Sequence, residues 1–212
     1  MDGFLNKDGK IIITNLIKAI QEKKGYLSEL DGQTGDGDHG VNMAKGFSMC
    51  GEQIDGSLGF GEALRILGRV LLMETGGSAG PLYGTFFKEM AKACKNEESI
   101  DKELFGKMLG DAVSAVALLG GARAGDKTLM DVLFPASEAY GAALSSGMGF
   151  SGALSHMKEA AKTGWLSTKG LAAKTGRASR LGERSRGVLD PGATSCYYIL
   201  DSMADSIESL LG

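Results

Sequence analysis

Apolar positions recur at helical spacing along almost the whole chain. Ile12, Ile13, Leu16, Ile17 and Ile20 gather on one side of a helical turn and predict a first helix from about Lys10 to Lys23. Further stripes predict helices from about Val41 to Gln53, Gly59 to Glu74, Pro81 to Lys95, Lys102 to Leu119, Lys127 to Leu144, Phe150 to Leu166 and Ala193 to Leu211. Leu104, Met108, Ala112, Val116 and Leu119 line one face of the fifth, and Tyr197, Leu200, Ala204, Ile207 and Leu211 one face of the last. Pro135 removes a backbone donor inside its helix and is expected to bend it, whereas Pro81 suits a first helical position. Asp190 before Pro191 reads as an N-cap followed by a first-turn proline. No segment alternates with period two and no fixed-length repeat emerges, so the expected class is all-α, about eight helices in a single domain over residues 1–212.

Two stretches break the pattern. Leu30 to Gly40 (LDGQTGDGDHG) carries too many glycines and carboxylates for an element interior and predicts an ordered loop. Residues 166–195 lose the apolar stripe among glycines, hydroxyl residues and arginines. Loops of this length exceed what a simple helical bundle requires, which suggests that they build a site on a helical scaffold.

Composition narrows the function classes. With 23 basic against 26 acidic residues, the net charge of -3 supplies no general attraction to nucleic acid or anionic lipid. Cys50, Cys94 and Cys196 are odd in number and far apart, which supports neither a disulfide framework nor a zinc site and suits a reducing cytoplasm. The first residues lack a basic region followed by an apolar core, and no apolar run approaches the roughly 20 residues of a membrane span. A cytoplasmic location without a membrane segment is therefore expected.

Four motifs can carry chemistry. Asp31, Asp36 and Asp38 lie within eight residues, separated by glycines that allow tight folding, and could hold one or two magnesium ions against a nucleotide. An EF-hand reading fails, because counting twelve positions from Asp36 reaches Phe47 where a glutamate is needed; a surface turn of solvated aspartates is the plain alternative. His39 beside them is a candidate nucleotide contact, while His156 lies within a helical pattern and predicts packing or exposure. Gly76 to Pro81 (GGSAGP) leads into a helix, as an anion site or as a close helix contact through glycine. Gly120 to Thr128 nearly spells a phosphate loop but has Asp126 before the Lys-Thr pair and follows a helix, so it predicts an aspartate cap with Lys127 and Thr128 in the first turn of the next helix. Arg177, Arg180, Arg184 and Arg186 in the late loop offer paired donors for phosphate oxygens or form a solvated basic surface.

Taken in order, GDGDHG at 35–40, GGSAGP at 76–81, GDKT at 125–128, GRAS at 176–179, LGERS at 181–185 and DPGATS at 190–195 resemble the DhaL family, the nucleotide-binding subunits of dihydroxyacetone kinases. The resemblance covers essentially the whole chain. It implies an antiparallel barrel of eight helices binding ADP or ATP and two magnesium ions at one end. By the same resemblance Asp31, Asp36 and Asp38 coordinate magnesium, and His39 and Asn42 follow in a nucleotide-contacting turn. Ser78 and Ala79 contact phosphate, Gly120, Thr128 and Leu129 border the nucleotide, and Arg177, Asp190 and Gly192 close over it, with Arg177 the candidate catalytic group. Gly37 and Leu129 stand where some relatives have alanine and methionine.

The implied activity is phosphoryl transfer to dihydroxyacetone held on a separate kinase subunit. Bound ADP would be recharged by a phosphohistidine donor protein of the sugar phosphotransferase system. Homodimerisation is left open. Two other readings stand beside this one. The first is a nucleotide subunit serving another short ketose or a different acceptor, and the second is a binding module that switches a partner according to nucleotide state without transferring phosphate.

Overall fold

The computed structural model describes residues 3–212. Eight α-helices follow one another: α1 Lys10–Thr34, α2 His39–Gly51, α3 Phe60–Glu74, α4 Ala79–Ala93, α5 Lys102–Gly120, α6 Met130–Ser145, α7 Phe150–Ser167 and α8 Pro191–Leu211. Each packs against its neighbours in sequence, and α8 returns to pack on α1, so the ring closes. Its interior is one continuous core that includes Leu16, Phe47, Leu67, Phe87, Met108, Leu133, Leu154 and Leu200. Phe47 and Phe86 each meet Phe87 edge to face, and Tyr140 meets Phe105 and Phe150 edge to face, with Phe105 and Phe150 tilted against each other. Cys50, Cys94 and Cys196 are buried and free.

The closed up-and-down order decides where the site can lie. The even-numbered helices start, and the odd-numbered ones finish, at the same end of the ring. The loops 35–38, 75–78, 121–129 and 168–190 therefore converge there although they are far apart in sequence.

Several local expectations are corrected. The first helix continues eleven residues beyond Lys23 to Thr34. Leu27 and Leu30 are buried and prolong the stripe beyond the polar interruption at Lys23, Lys24 and Gly25. Only Gly35 to Asp38 remains as loop. The glycine at position 40 explains how α2 can turn back so sharply, because a β-carbon there would stand 2.1 Å from the Lys24 carbonyl oxygen of α1. Helix α4 begins at Ala79, which leaves Pro81 within the first turn, where its missing N–H is still harmless. A two-stranded antiparallel ladder, β1 Gly3–Leu5 with β2 Ser99–Asp101, was not expected. Three residues are too few for period-two alternation to register. Asp101 then caps α5 by accepting the Leu104 N–H at 2.7 Å.

Helix α6 starts at Met130, three residues later than the sequence suggests, and Asp126 is not its cap. Asp126 instead accepts the Arg123 N–H at 2.8 Å, within the loop. Asp131, inside the helix, receives the N–H groups of Gly125 at 2.5 Å and Thr128 at 2.7 Å. Asp190 does cap α8, accepting the Ala193 N–H at 2.7 Å, and Pro191 takes the first-turn place. The irregular stretch between α7 and α8 is wound into short 3-10 turns at Thr168–Gly170 and Arg177–Ser185, interrupted at Gly182. No described helix is long and apolar enough to cross a membrane.

Candidate functional site

The four converging loops surround a cavity of about 430 Å³, a volume in the range of small-molecule and cofactor sites. Its wall takes Asp31 from the last turn of α1, Asp38, His39 and Asn42 from the start of α2, and Ser78 and Ala79 from the start of α4. Gly120 ends α5, Thr128 and Leu129 precede α6, Arg177 comes from the late segment, and Asp190 and Gly192 come from the start of α8. Asp36 is not part of the wall; it stands at the rim, beside Asp31 and Asp38.

Asp31, Asp36 and Asp38 each bring a carboxylate oxygen to within 4.8 Å of the others, the one such acidic cluster among the described residues. The backbone forces this convergence. Asp31 is carried by the helix end, and Gly37 takes φ 78° between the other two, a left-handed conformation that costs glycine little. Asp31 also accepts the His39 N–H at 3.2 Å, which ties the end of α1 to the start of α2. Crowded carboxylates require positive charge, and Arg177 supplies it. Its guanidinium contacts the Asp36 carboxylate directly and lies 3.8 Å from that of Asp38. The late segment thus crosses the cavity mouth to the aspartates.

A buried polar chain joins three of the walls. His39 Nε2 lies 2.9 Å from the Ser195 hydroxyl, which lies 2.7 Å from the Tyr83 hydroxyl, and Tyr83 donates to the Gly192 carbonyl at 2.9 Å. Burial pushes the His39 imidazole down to about 4, against the opposing pull of Asp31, so the ring is neutral near pH 7. Burial likewise raises the Tyr83 phenol well above its ordinary value.

Asp190 is perturbed in the same direction as Tyr83. Burial pushes its carboxyl from 3.8 up to about 7, although the Ala193 N–H and Lys127 favour the charged form. The folded chain therefore holds this proton more firmly than the unfolded chain does. The resulting stability is fully present below about pH 3.8 and is lost as pH rises through about 7. Thermal melts across that window are expected to contain this component in the wild type and to lack it in Asp190→Asn, whose amide oxygen can still cap α8. Identical pH slopes in the two proteins would mean that Asp190 titrates normally.

Sequence reading missed Thr34, Leu82, Tyr83, Val116 and Leu119, which also line the cavity, and it placed Lys127, another lining residue, only as a first-turn helical residue. The apolar members read as ordinary stripe residues, and nothing local marks Tyr83 as different. Lys127 does have a signal, the glycine-rich approach before it. Conversely, Arg180, Arg184 and Arg186 are not in the wall, and Arg186 pairs with Glu183 at 2.6 Å. His156 is exposed on α7, away from the cavity, in a groove against α6.

A closed ring of eight helices with loops gathered around an aspartate-rimmed cavity defines an all-α ligand-binding scaffold, with several helix N-termini aimed at the ligand space. The chain belongs to the DAK2 domain family, whose model matches residues 33–205. It is 39% identical over 183 residues to the ADP-binding subunit DhaL of the PEP-dependent dihydroxyacetone kinase of Escherichia coli K12, covering 84% of this chain and 86% of that one. It is 36% identical over 191 residues to the ADP-binding subunit DhaL of the PTS-dependent dihydroxyacetone kinase of Lactococcus lactis, covering 89% and 91%. Both relatives are named as subunits of kinases, enzymes that transfer phosphoryl groups. The fold resembles that of the dihydroxyacetone kinase from C. freundii solved with AMP-PNP and Mg2+, at a TM-score of 0.69 and 22% identity. That alignment covers 93% of this chain and 33% of the larger protein, so the chain spans about a third of it.

Proposed function

We propose that this chain is the nucleotide-binding phosphoryl-carrier subunit of a dihydroxyacetone kinase. It holds magnesium-bound ADP or ATP in the cavity and passes the terminal phosphate to dihydroxyacetone held on a separate subunit. A phosphohistidine protein recharges the bound ADP, and the assembly works in the cytoplasm. The observation that carries the reading is the convergence of Asp31, Asp36 and Asp38 at the mouth of a nucleotide-sized cavity.

The donor set fits magnesium. Three carboxylates offer hard oxygen atoms and leave coordination places for phosphates and water, and their mutual repulsion already draws Arg177 onto them. In this reading Asp31, Asp36 and Asp38 hold two magnesium ions, whose bound charge neutralises phosphate oxygens. Ser78 and Ala79, opening α4, direct backbone N–H groups at the phosphates. Asn42 and neutral His39 contact the nucleotide from α2. Gly120, Thr128 and Leu129 border the nucleotide, and Asp190 and Gly192 close over it with Arg177. Arg177 takes up charge that shifts onto the terminal phosphate during transfer.

The direct test is whether protein purified without added nucleotide releases ADP on denaturation, and whether the stripped protein binds magnesium–ADP in a calorimeter. Absence of both ADP release and magnesium–ADP binding would overturn the reading. A second expectation concerns Arg177. Arg177→Ala is expected to slow single-turnover transfer roughly a hundredfold while changing ADP affinity by less than about tenfold, because ADP lacks the transferred group. Equal losses in rate and affinity would make Arg177 a ground-state clamp.

A further inference from the structure

Lys127 is the one non-glycine residue with positive φ among the described residues, at 61°. That conformation is costly for a side chain with a β-carbon and persists only where the surroundings impose it. The side chain is also only 2% exposed, which is unusual for a lysine. Its ammonium lies among four main-chain carbonyl oxygens: Thr168 at 2.8 Å, Leu171 at 3.2 Å, Ser185 at 2.7 Å and Val188 at 2.6 Å. Three N–H donors are thus shared among four acceptors, which leaves no donor free.

The placement of those four carbonyls matters more than their number. Thr168 and Leu171 begin the segment between α7 and α8, whereas Ser185 and Val188 end it. Lys127 therefore pins the two legs of one loop to each other and to the start of α6. Arg177 lies between the legs, at the part that reaches Asp36 and Asp38.

Within residues 168–188 only Thr168, Ala173 and Ser185 are buried, so apolar packing contributes little to ordering them. Further cross-ties are individual bonds. Gly187 N–H donates to the Lys169 carbonyl at 2.8 Å, the Arg186 guanidinium to the Gly170 carbonyl, Ala173 N–H to the Ser185 hydroxyl at 2.8 Å and Asp190 N–H to the Thr168 hydroxyl at 3.1 Å, while Lys174 pairs with the Asp126 carboxylate at 3.2 Å and donates its N–H to the Asp126 carbonyl at 3.1 Å. Burial and Arg186 disfavour the charged form of Lys127, while Asp190 favours it.

We infer that Lys127 is a positioning residue for phosphoryl transfer: by pinning both legs of the 168–188 segment it sets where Arg177 stands over the cavity. The inference rests on the nucleotide-site reading of Arg177 given above, but the order of the segment is tested without it. Lys127 bonds to loop carbonyls and not to the helical core, so its loss is expected to loosen the loop and to leave the ring of helices standing.

The experiment compares the full chain with its Lys127→Met and Lys127→Gln variants. Trypsin reads the loop directly, because Lys174, Arg177, Arg180, Arg184 and Arg186 are potential cleavage sites within it. Helical circular dichroism is expected to be unchanged, and cleavage between residues 174 and 186 to accelerate at least about tenfold in Lys127→Met. The glutamine variant, which keeps a neutral amide donor, should fall between. Single-turnover transfer to dihydroxyacetone, with the acceptor subunit present, is expected to fall at least about tenfold in Lys127→Met. The same substitution made in an Arg177→Ala background should cost nothing further, because the residue through which it acts is already gone.

Unchanged trypsin protection would overturn the inference. So would independent, multiplying losses in the double variant, which would show that Lys127 does not act through Arg177. Loss of the helical spectrum in both variants would make Lys127 part of the core and overturn it as well. If the wild-type chain failed to bind magnesium–ADP, the reading of the cavity would fall, while trypsin would still decide whether Lys127 holds the segment.

Discussion

Asp36→Asn and Asp38→Asn are each expected to weaken magnesium–ADP binding by roughly a hundredfold or more, with the helical spectrum and thermal transition close to those of the wild type. The carboxylate side chains of Asp36 and Asp38 are 52% and 46% exposed, so neither supports the core. Asp38 precedes α2 without capping it through its side chain, so the substitution removes no helix-stabilising bond. Asp31 would be a poorer choice, because its carboxylate also accepts the His39 N–H and its loss would loosen the entry to α2.

The expected loss follows from charge. An amide keeps the shape of the side chain but removes one negative ligand from a cluster whose remaining members must still hold cations against polyphosphate. Calorimetric titration with magnesium–ADP measures the effect, and unchanged affinity in either variant would remove that aspartate from the site. Loss of binding together with loss of helicity would instead assign these residues to the fold.

The second large effect is expected with the chain intact. Incubated with magnesium, ATP and dihydroxyacetone alone, it should form product at no useful rate, and addition of the dihydroxyacetone-binding kinase subunit should start the reaction. On the reading proposed above, nucleotide and magnesium fill the cavity that Arg177 lines, and the groove between α6 and α7 does not include Arg177, so the acceptor hydroxyl is expected to be held in line by the partner. Correct positioning of reactants can be worth about 7–11 kcal/mol of barrier, so an unheld acceptor leaves the bound nucleotide idle. Assaying the phosphorylated product with and without the partner decides this. Rapid product formation by the chain alone would overturn the carrier-subunit reading. The two experiments are independent, since the first needs no partner and the second no substitution.

Much of this architecture is legible in the residues themselves. Apolar stripes such as Leu104, Met108, Ala112 and Val116 require burial on one helical face, and the burial found for Met108, Ala112 and Val116 follows that requirement. The cap at Asp190 and the first-turn place of Pro191 depend only on chemistry within a few residues, and the structure keeps both. Aspartates spaced by glycine likewise signal a tight acidic turn, although the helix that carries Asp31 to its position extends farther than its interrupted stripe indicates.

Other features exist only once the ring closes. Arg177 and Asp36 are separated by most of the chain, and their contact depends on α8 returning to α1 and on the alternating direction of the helices. Tyr83 reads as a stripe residue until Ser195 and Gly192 arrive beside it from α8. Lys127 carries the same lesson furthest. Local sequence makes it a first-turn helical residue, yet carbonyls from residues 41 to 61 positions away draw its ammonium inward and hold its backbone at positive φ. Periodicity and capping are short-range properties that a sequence states by itself. Which distant carbonyl, hydroxyl or carboxylate will satisfy a buried polar group is settled only by the packing that brings them together.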